Sequence, residues 1–151
     1  VLLLIGDSEF AGTRFLEKLQ DIAGKSCFSN DIHFMGFLDN PWSIASGLDI
    51  CVLPSRFGEG LPLVLIEAMS YRIPLAVSDI AGNREIVSHA RNGWIHPPGD
   101  AHRLAEQLHE ASTNRSRLDE YGISGQKYFH ENFTLDKICS RYIQLYHRLL
   151  G

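Results

Sequence analysis

Five short apolar runs alternate with stretches of helical periodicity along the chain. The runs are VLLLI (1–5), IHFMGF (32–37), LDICVLP (48–54), IPLAVS (73–78) and GWIHP (93–97). The first, third and fourth are continuously apolar rather than alternating, the pattern of strands covered on both faces of a parallel sheet. Between them, Phe15, Leu16, Leu19, Ile22 and Ala23 form one helical stripe, with Gly24 as its C-terminal stop. Residues 63–69 predict a second helix, apolar nearly all round, and 84–89 a short third. Asp100 can cap a fourth, with Ala101, Leu104, Ala105, Leu108 and Ala111 on its inner face. The β–α alternation predicts an α/β fold on a doubly wound parallel sheet. The tail differs: helices at 118–129 and 135–150 follow with no strand between them. In the last, Leu135, Ile138, Tyr142, Leu145 and Leu149 hold a stripe that predicts packing onto a neighbour.

Composition narrows the class. A chain of 151 residues with 44% apolar and 21% charged side chains is one globular domain with a single core. Fourteen Lys+Arg against eighteen Asp+Glu give a net charge of −4, the wrong balance for neutralising phosphates, so nucleic acid is disfavoured as a partner. The longest aliphatic run, residues 1–5, is too short to span a bilayer, and no positive stretch precedes it as in a signal peptide. A soluble, cytoplasmic protein is expected. The polar face of the last helix is not strongly basic, which makes a membrane-surface role for it weak. Cys27, Cys51 and Cys139 are odd in number and far apart, so reduced, buried thiols are expected. His102 and His109 share a helix face without a third ligand nearby, so no metal site is expected. No hydrolase elbow or P-loop occurs. The chain opens on Val1 inside a strand pattern, which points to a piece of something longer.

The chemistry is concentrated in PSRFGEGLPLVLIEAM, residues 54–69. A buried strand ends at Pro54, a loop follows with Gly58, Glu59 and Gly60, and Pro62 stands where the first helical turn begins. The first turn of a helix offers free N–H groups and the positive end of the dipole, which together favour an anion such as phosphate. Gly60 lets the backbone approach closely because it has no Cβ. In open α/β sheets, ligands bind beyond the carboxyl ends of the strands, where this loop lies. An ordinary strand–loop–helix joint has the same outline, and both readings stand on the loop alone. Glu67 lies on a helix with no evident solvent face, so its carboxylate must be paired or must meet a ligand. A carboxylate about one and a half turns in suits a ribose diol, accepting from both hydroxyls; a nearby Arg or Lys is the alternative partner. Asp7 after Gly6 is either turned toward a ligand or part of a strand-end turn.

The segment EGLPLVLIE, with Glu59 and Glu67 separated by seven residues, resembles the E-x7-E signature of retaining glycosyltransferases of the GT-B fold, family 4 type. Other pieces resemble the family in order. VLLLIGD is similar to its second strand and turn, IHFMGFLDN to its third, and LDICVLPS to the strand before the signature. IPLAVSDIAGNREIV is similar to the strand and Gly loop after it, NGWIHPPGDAHRLAEQL to the last strand and helix, and FTLDKICSRYIQLYHRLL to the closing helix. The resemblance implies a Rossmann-like C-terminal half of a GT-B fold over residues 1–151, with closing helices at 114–150. It also implies that the family's first strand, and the Arg and Lys on it that hold the diphosphate, have no counterpart here. In the strand order 3-2-1-4-5-6 that strand lies between residues 1–5 and 50–54. Domain exchange at the gap is one expectation the resemblance leaves open. The family's Gly before the strand after the signature helix is replaced by Arg72. Holding the left-handed conformation there costs a non-Gly residue about 1 kcal/mol.

The resemblance further implies a function: donor binding in the transfer of a sugar from a nucleotide diphosphate to a glycan or lipid-linked acceptor, as in polysaccharide assembly. On matching positions Glu59 is the catalytic-face contact to the donor sugar and Glu67 the contact to the ribose. The amides of Gly60, Leu61, Leu63 and Val64 hold the diphosphate, and the loop at Gly36 and Phe37 lies near the base. Gly82 is a turn residue rather than a ligand contact. No cofactor or metal is implied beyond the donor substrate itself. The implied partners are the nucleotide-sugar donor and an N-terminal acceptor domain, with peripheral membrane association of the full enzyme left open. The fragment alone is expected to bind nucleotide weakly and transfer nothing. Two alternatives remain: a GT-B-type nucleotide-sugar epimerase, which lacks this E-x7-E spacing, and a non-enzymatic α/β interaction module.

Overall fold

The computed structural model describes residues 1–6, 13–58 and 60–150, with the backbone alone at Thr13 and Ala45. The chain divides into two units, Val1–Ala45 and Ser46–Gly151.

The first unit holds β1 (Leu2–Ile5), α1 (Thr13–Gly24), a 3-10 turn (Ser29–Asp31), β2 (Ile32–Gly36) and the short α2 (Trp42–Ala45). β1 and β2 are parallel, with Leu2 opposite Ile32 and Leu4 opposite Phe34. A register shift after Leu4 sets Ile5 against Gly36. Parallel pairing needs a crossover, and α1 supplies it. The helix ends at Gly24 as expected, but its stripe is only partly covered. Leu16, Leu19 and Ala23 are half-buried, while Phe15 and Ile22 are exposed. β1 is likewise half-exposed, since each strand of this two-stranded sheet has a single neighbour. Neither the turn before β2 nor α2 carries a periodic signal, and both escape a reading by pattern.

The second unit holds β3 (Cys51–Leu53), α3 (Leu63–Ser70), β4 (Leu75–Ser78), α4 (Ala81–Ile86), β5 (Gly93–His96), α5 (Ala101–Thr113), α6 (Arg115–Asn132) and α7 (Leu135–Leu150). Its sheet runs β3-β4-β5, all parallel, with Cys51 opposite Leu75 and Leu75 opposite Gly93. The two sheets hold the pairings that a doubly wound order assigns to its 3-2 and 4-5-6 segments. Coverage on both faces holds in full only for the central β4; of the two edge strands, β5 is nearly all buried and β3 half-buried.

The core of this unit lies where α5 and α6 cover the sheet. Ala76, Trp94, Ala111, Leu118 and Tyr121 pack together, the Trp94 and Tyr121 rings lying 4.5 Å apart. Trp94 Nε1 donates to Glu110 Oε2 at 3.2 Å, and Arg117 donates to the other oxygen at 3.1 Å while standing 5.8 Å from the Tyr121 ring. One carboxylate thus satisfies a buried indole from β5 and fixes the cation of α6. On α5, Asp100 caps as expected, accepting from the Arg103 amide at 2.9 Å. Its inner face differs from the apolar pattern. Ala101 and Ala105 are exposed, and the buried positions include Gln107, whose amide donates to the Ile95 carbonyl at 2.9 Å. Hydropathy cannot place a polar side chain that has a backbone partner waiting for it.

α3 ends in a motif that the sequence anticipates at some cost. Arg72 takes a φ of +61°, its amide reaches the Met69 carbonyl at 3.0 Å, and the Ile73 amide reaches the Ala68 carbonyl at 3.0 Å. This closes the helix in a Schellman arrangement without the usual glycine. α6 packs directly on that turn. A Cβ built on Gly122 would stand 2.4 Å from the Arg72 carbonyl oxygen. Since both partners are backbone, Gly122→Ala is expected to lower stability by about 2–3 kcal/mol, read as a lower urea midpoint with unchanged slope.

Other expectations are corrected. The helix expected at 84–89 is α4, which starts earlier because Ile80 is extended and ends where Val87 returns to extended backbone. Gly82 therefore sits buried inside a helix rather than in a turn. α7 matches its expected bounds and touches α6, yet among the described residues of the second unit its stripe stays open. Leu135 is 75% exposed and Leu149 70%, and no residue of the helix is buried. Cys27 and Cys139 are exposed rather than buried. Cys51 is half-buried in β3, where burial pushes its thiol up to about 11, away from reactivity. No helix among the described residues is long and apolar enough to cross a membrane.

Candidate functional site

In the second unit the three parallel strands end at Leu53, Ser78 and His96 along one edge of the sheet. The loop from β3 crosses this edge and enters α3 through Pro62, which is buried and extended at φ −71°, ψ 106°. Pro62 is therefore the cap and Leu63 the first helical residue, which matches the expected start at 63 and leaves Pro62 just outside the first turn. Its carbonyl accepts the Leu65 amide at 3.1 Å. Proline fits here because its ring fixes φ and it has no N–H to leave unpaired. It also has no side chain that can cap, and no side-chain cap bond is present. Pro62 itself therefore gives the first-turn amides of α3 no side-chain cap at the positive end of the helix.

The face around that turn is open. Gly60 is exposed, and a Cβ built on it would meet no atom within 4 Å. Leu61 is 47% exposed, Leu63 66% and Val64 39%. Glu67 shares this face and is exposed, which corrects the expectation of a buried carboxylate. α3 buries Leu65, Ile66, Ala68 and Met69 against β3, β4 and α6 and turns its other apolar side outward. Hydropathy cannot separate an apolar face turned to a core from one turned to a ligand. Gly58 holds φ +90°, a left-handed turn that a side chain would strain. Glu59 and Asp7 lie outside the described residues. The structure thus brings Gly60, Leu61, Leu63, Val64 and Glu67 onto one face. Gly36 and Phe37 belong to the first unit, where Gly36 ends β2 at φ +65° with its carbonyl bonded to the Gly6 amide at 3.0 Å. Phe37 is 71% exposed there.

Beneath the open loop lies a polar layer with no motif to announce it. Ser78 and Asn83 are fully buried, and His96 and Gln107 nearly so. Burial pushes the His96 imidazole below its usual range, with the Gln107 amide and Asp100 acting against it. The folded chain therefore takes up this proton at lower pH than the unfolded chain does. Stability is full above the unfolded value of 6.5 and falls as pH drops below it. A urea midpoint that declines between about pH 7 and 5, and declines less in His96→Asn, is the expected result. At the end of β4, Arg84 grips Asp79 with two guanidinium nitrogens and holds its carboxyl below the usual range. Elsewhere, a cavity of about 300 Å³ touches Ser88, Arg91 and Asn92, before β5 begins and so at the opposite edge of the sheet. Among the described residues no group of three or more His, Cys, Asp or Glu is placed to hold a metal ion.

Comparison with known proteins agrees with this geometry. The family model for glycosyl transferases group 1 matches residues 1–128. N-acetyl-alpha-D-glucosaminyl L-malate synthase of Bacillus anthracis is 29% identical over 150 residues, covering 99% of this chain and 38% of the relative. HepE of Anabaena, solved in complex with UDP, superposes with a TM-score of 0.91 at 20% identity, covering 97% of this chain and 40% of that one. Sucrose-phosphate synthase of Thermosynechococcus elongatus gives 0.86 at 25% identity, covering 99% and 38%. The chain spans 11% to 38% of the length of the curated relatives it matches. Fold and sequence agree with the C-terminal domains of GT-B glycosyltransferases, and the chain belongs to the glycosyl transferases group 1 family.

Proposed function

We propose that this chain is the donor-binding part of a retaining glycosyltransferase that moves a sugar from a nucleotide diphosphate to a glycan or lipid-linked acceptor. The observation that carries the reading is the first turn of α3: exposed, entered through a proline that offers no side-chain cap, and flanked by an open Gly60, in a chain of this family. In that reading the amides of Gly60, Leu61, Leu63 and Val64 bind the diphosphate, and Glu67, on the same face, accepts from the two ribose hydroxyls. Glu59 contacts the donor sugar by its place in the signature. The assignment of Gly36 and Phe37 to the base rests on the resemblance alone.

In the transfer, the bond between the anomeric carbon and the diphosphate oxygen breaks, and a bond to an acceptor oxygen forms on the same face as that oxygen loses its proton. Negative charge grows on the departing diphosphate. Fixed amides and the helix dipole stabilise that charge without reorganising during the step. The acceptor is held by a further domain, so the chain alone binds but does not transfer. HepE, which shares this fold, has also been solved with UDP-glucose.

A thermal-shift titration tests the reading. A melting temperature that rises saturably with uridine or guanosine diphosphate, and not with inorganic phosphate, is expected. No shift with any nucleoside diphosphate would leave an α/β interaction module as the better description.

A further inference from the structure

The loop that carries the donor site is tied down at two points that no motif marks. At the first, the Ser78 hydroxyl at the end of β4 donates to the Ser55 carbonyl. Ser78 is fully buried and is itself held by Asn83, whose amide donates to the Ser78 carbonyl at 2.8 Å and lies 3.4 Å from its hydroxyl. A rigid side chain from α4 thus orients the hydroxyl that fixes the loop. At the second, the Arg56 guanidinium lies beside Gly99, in the loop after β5. A Cβ built on Gly99 would stand 3.4 Å from both Nε and Nη2 and 3.6 Å from Cζ. Both nitrogens are nearer than Cζ, so the Nε–Nη2 edge of the guanidinium is what faces the glycine. Gly99 takes a φ of +78°, so it serves this contact both by its backbone and by its lack of a side chain. The segment 54–58 is therefore pinned to the ends of both strands beyond β3, just before Gly60 and the α3 amides.

We propose that Ser78 and Arg56 are positioning residues for the donor site, acting through the loop rather than by touching the donor. Bound geometry is sensitive to small displacements, and a preorganised anion site needs its loop fixed before the ligand arrives. The guanidinium meets Gly99 with two nitrogens held in one rigid fork, so a lysine, with the same charge but a single nitrogen, does not replace it. The effect on donor affinity rests on the function proposed above; the tethering itself does not.

The test uses the whole chain, with 15N relaxation in the absence of ligand and calorimetry with UDP. In Ser78→Ala and Arg56→Ala the order parameters of the Gly58 and Gly60 amides are expected to fall from about 0.85 toward 0.6 or below. UDP affinity is expected to fall about tenfold in each, and Arg56→Lys to behave as Arg56→Ala. Ala111→Gly, which weakens the fold in α5 away from the loop, serves as control and is expected to change neither readout. Arg56 is exposed, so its variants test the idea even if Ser78→Ala folds poorly. Unchanged loop order together with unchanged affinity would overturn the proposal. So would full retention of affinity in Arg56→Lys, which would assign the residue a direct charge contact. Loosened loop amides in a chain that binds no UDP would sustain the tether and sink the donor reading instead.

Discussion

Trp94→Ala is expected to lower the stability of the second unit by about 4 kcal/mol, a large share of what a domain of this size possesses. The indole is 2% exposed, packs at 4.5 Å from the Tyr121 ring and donates to Glu110 at 3.2 Å. Truncation leaves a cavity between β5 and α6, and it leaves Glu110 with Arg117 alone. Trp94→Phe keeps most of the volume and is expected to cost well under half as much, since a smaller void remains while Glu110 loses the same donor in both variants. Urea unfolding followed by far-ultraviolet dichroism measures both. Equal, small losses in the two variants would show that the core does not rest on this residue.

The second large effect concerns ligand rather than fold. Glu67→Ala is expected to weaken nucleoside diphosphate binding about a hundredfold, on the order of 3 kcal/mol, because two charge-assisted hydrogen bonds to the ribose are lost. Glu67 is exposed, so its removal leaves the fold near its original stability, which separates the two predictions experimentally. A 2′,3′-dideoxynucleoside diphosphate supplies the converse: it lacks both hydroxyls, and its affinity is expected to be the same for the native chain and for Glu67→Ala. Unchanged UDP affinity by calorimetry would remove Glu67 from the site.

Much of the fold is legible in the sequence because its signals are local. The five apolar runs become the five strands, and Asp100 caps α5 as its residue type predicts. The left-handed conformation of Arg72 is legible only through the resemblance, in which a glycine stands at that position. What escapes depends on packing partners. The apolar residues 63–69 predict burial all round, yet Leu63 and Val64 face outward beside Glu67, since a helix at a ligand edge and a helix in a core have the same hydropathy. α7 shows the same ambiguity, with a stripe whose partner cannot be read from the stripe. The polar layer of Ser78, Asn83, His96 and Gln107 escapes altogether, because each is buried by virtue of a hydrogen bond or a seam that only the folded chain creates. Of the site, the E-x7-E spacing and the glycines are visible in advance, whereas the contacts of Ser78 and Arg56 that fix them are not.

The whole reading turns on whether a pyrophosphate settles on the leading amides of α3. Amide chemical shifts of the 15N-labelled chain, followed during titration with UDP, answer this directly. The account predicts saturating shifts concentrated at Gly60, Leu61, Leu63 and Val64, with smaller ones at Glu67. Shifts confined to the opposite edge of the sheet, around Ser88 and Arg91, or none at any concentration, would contradict it.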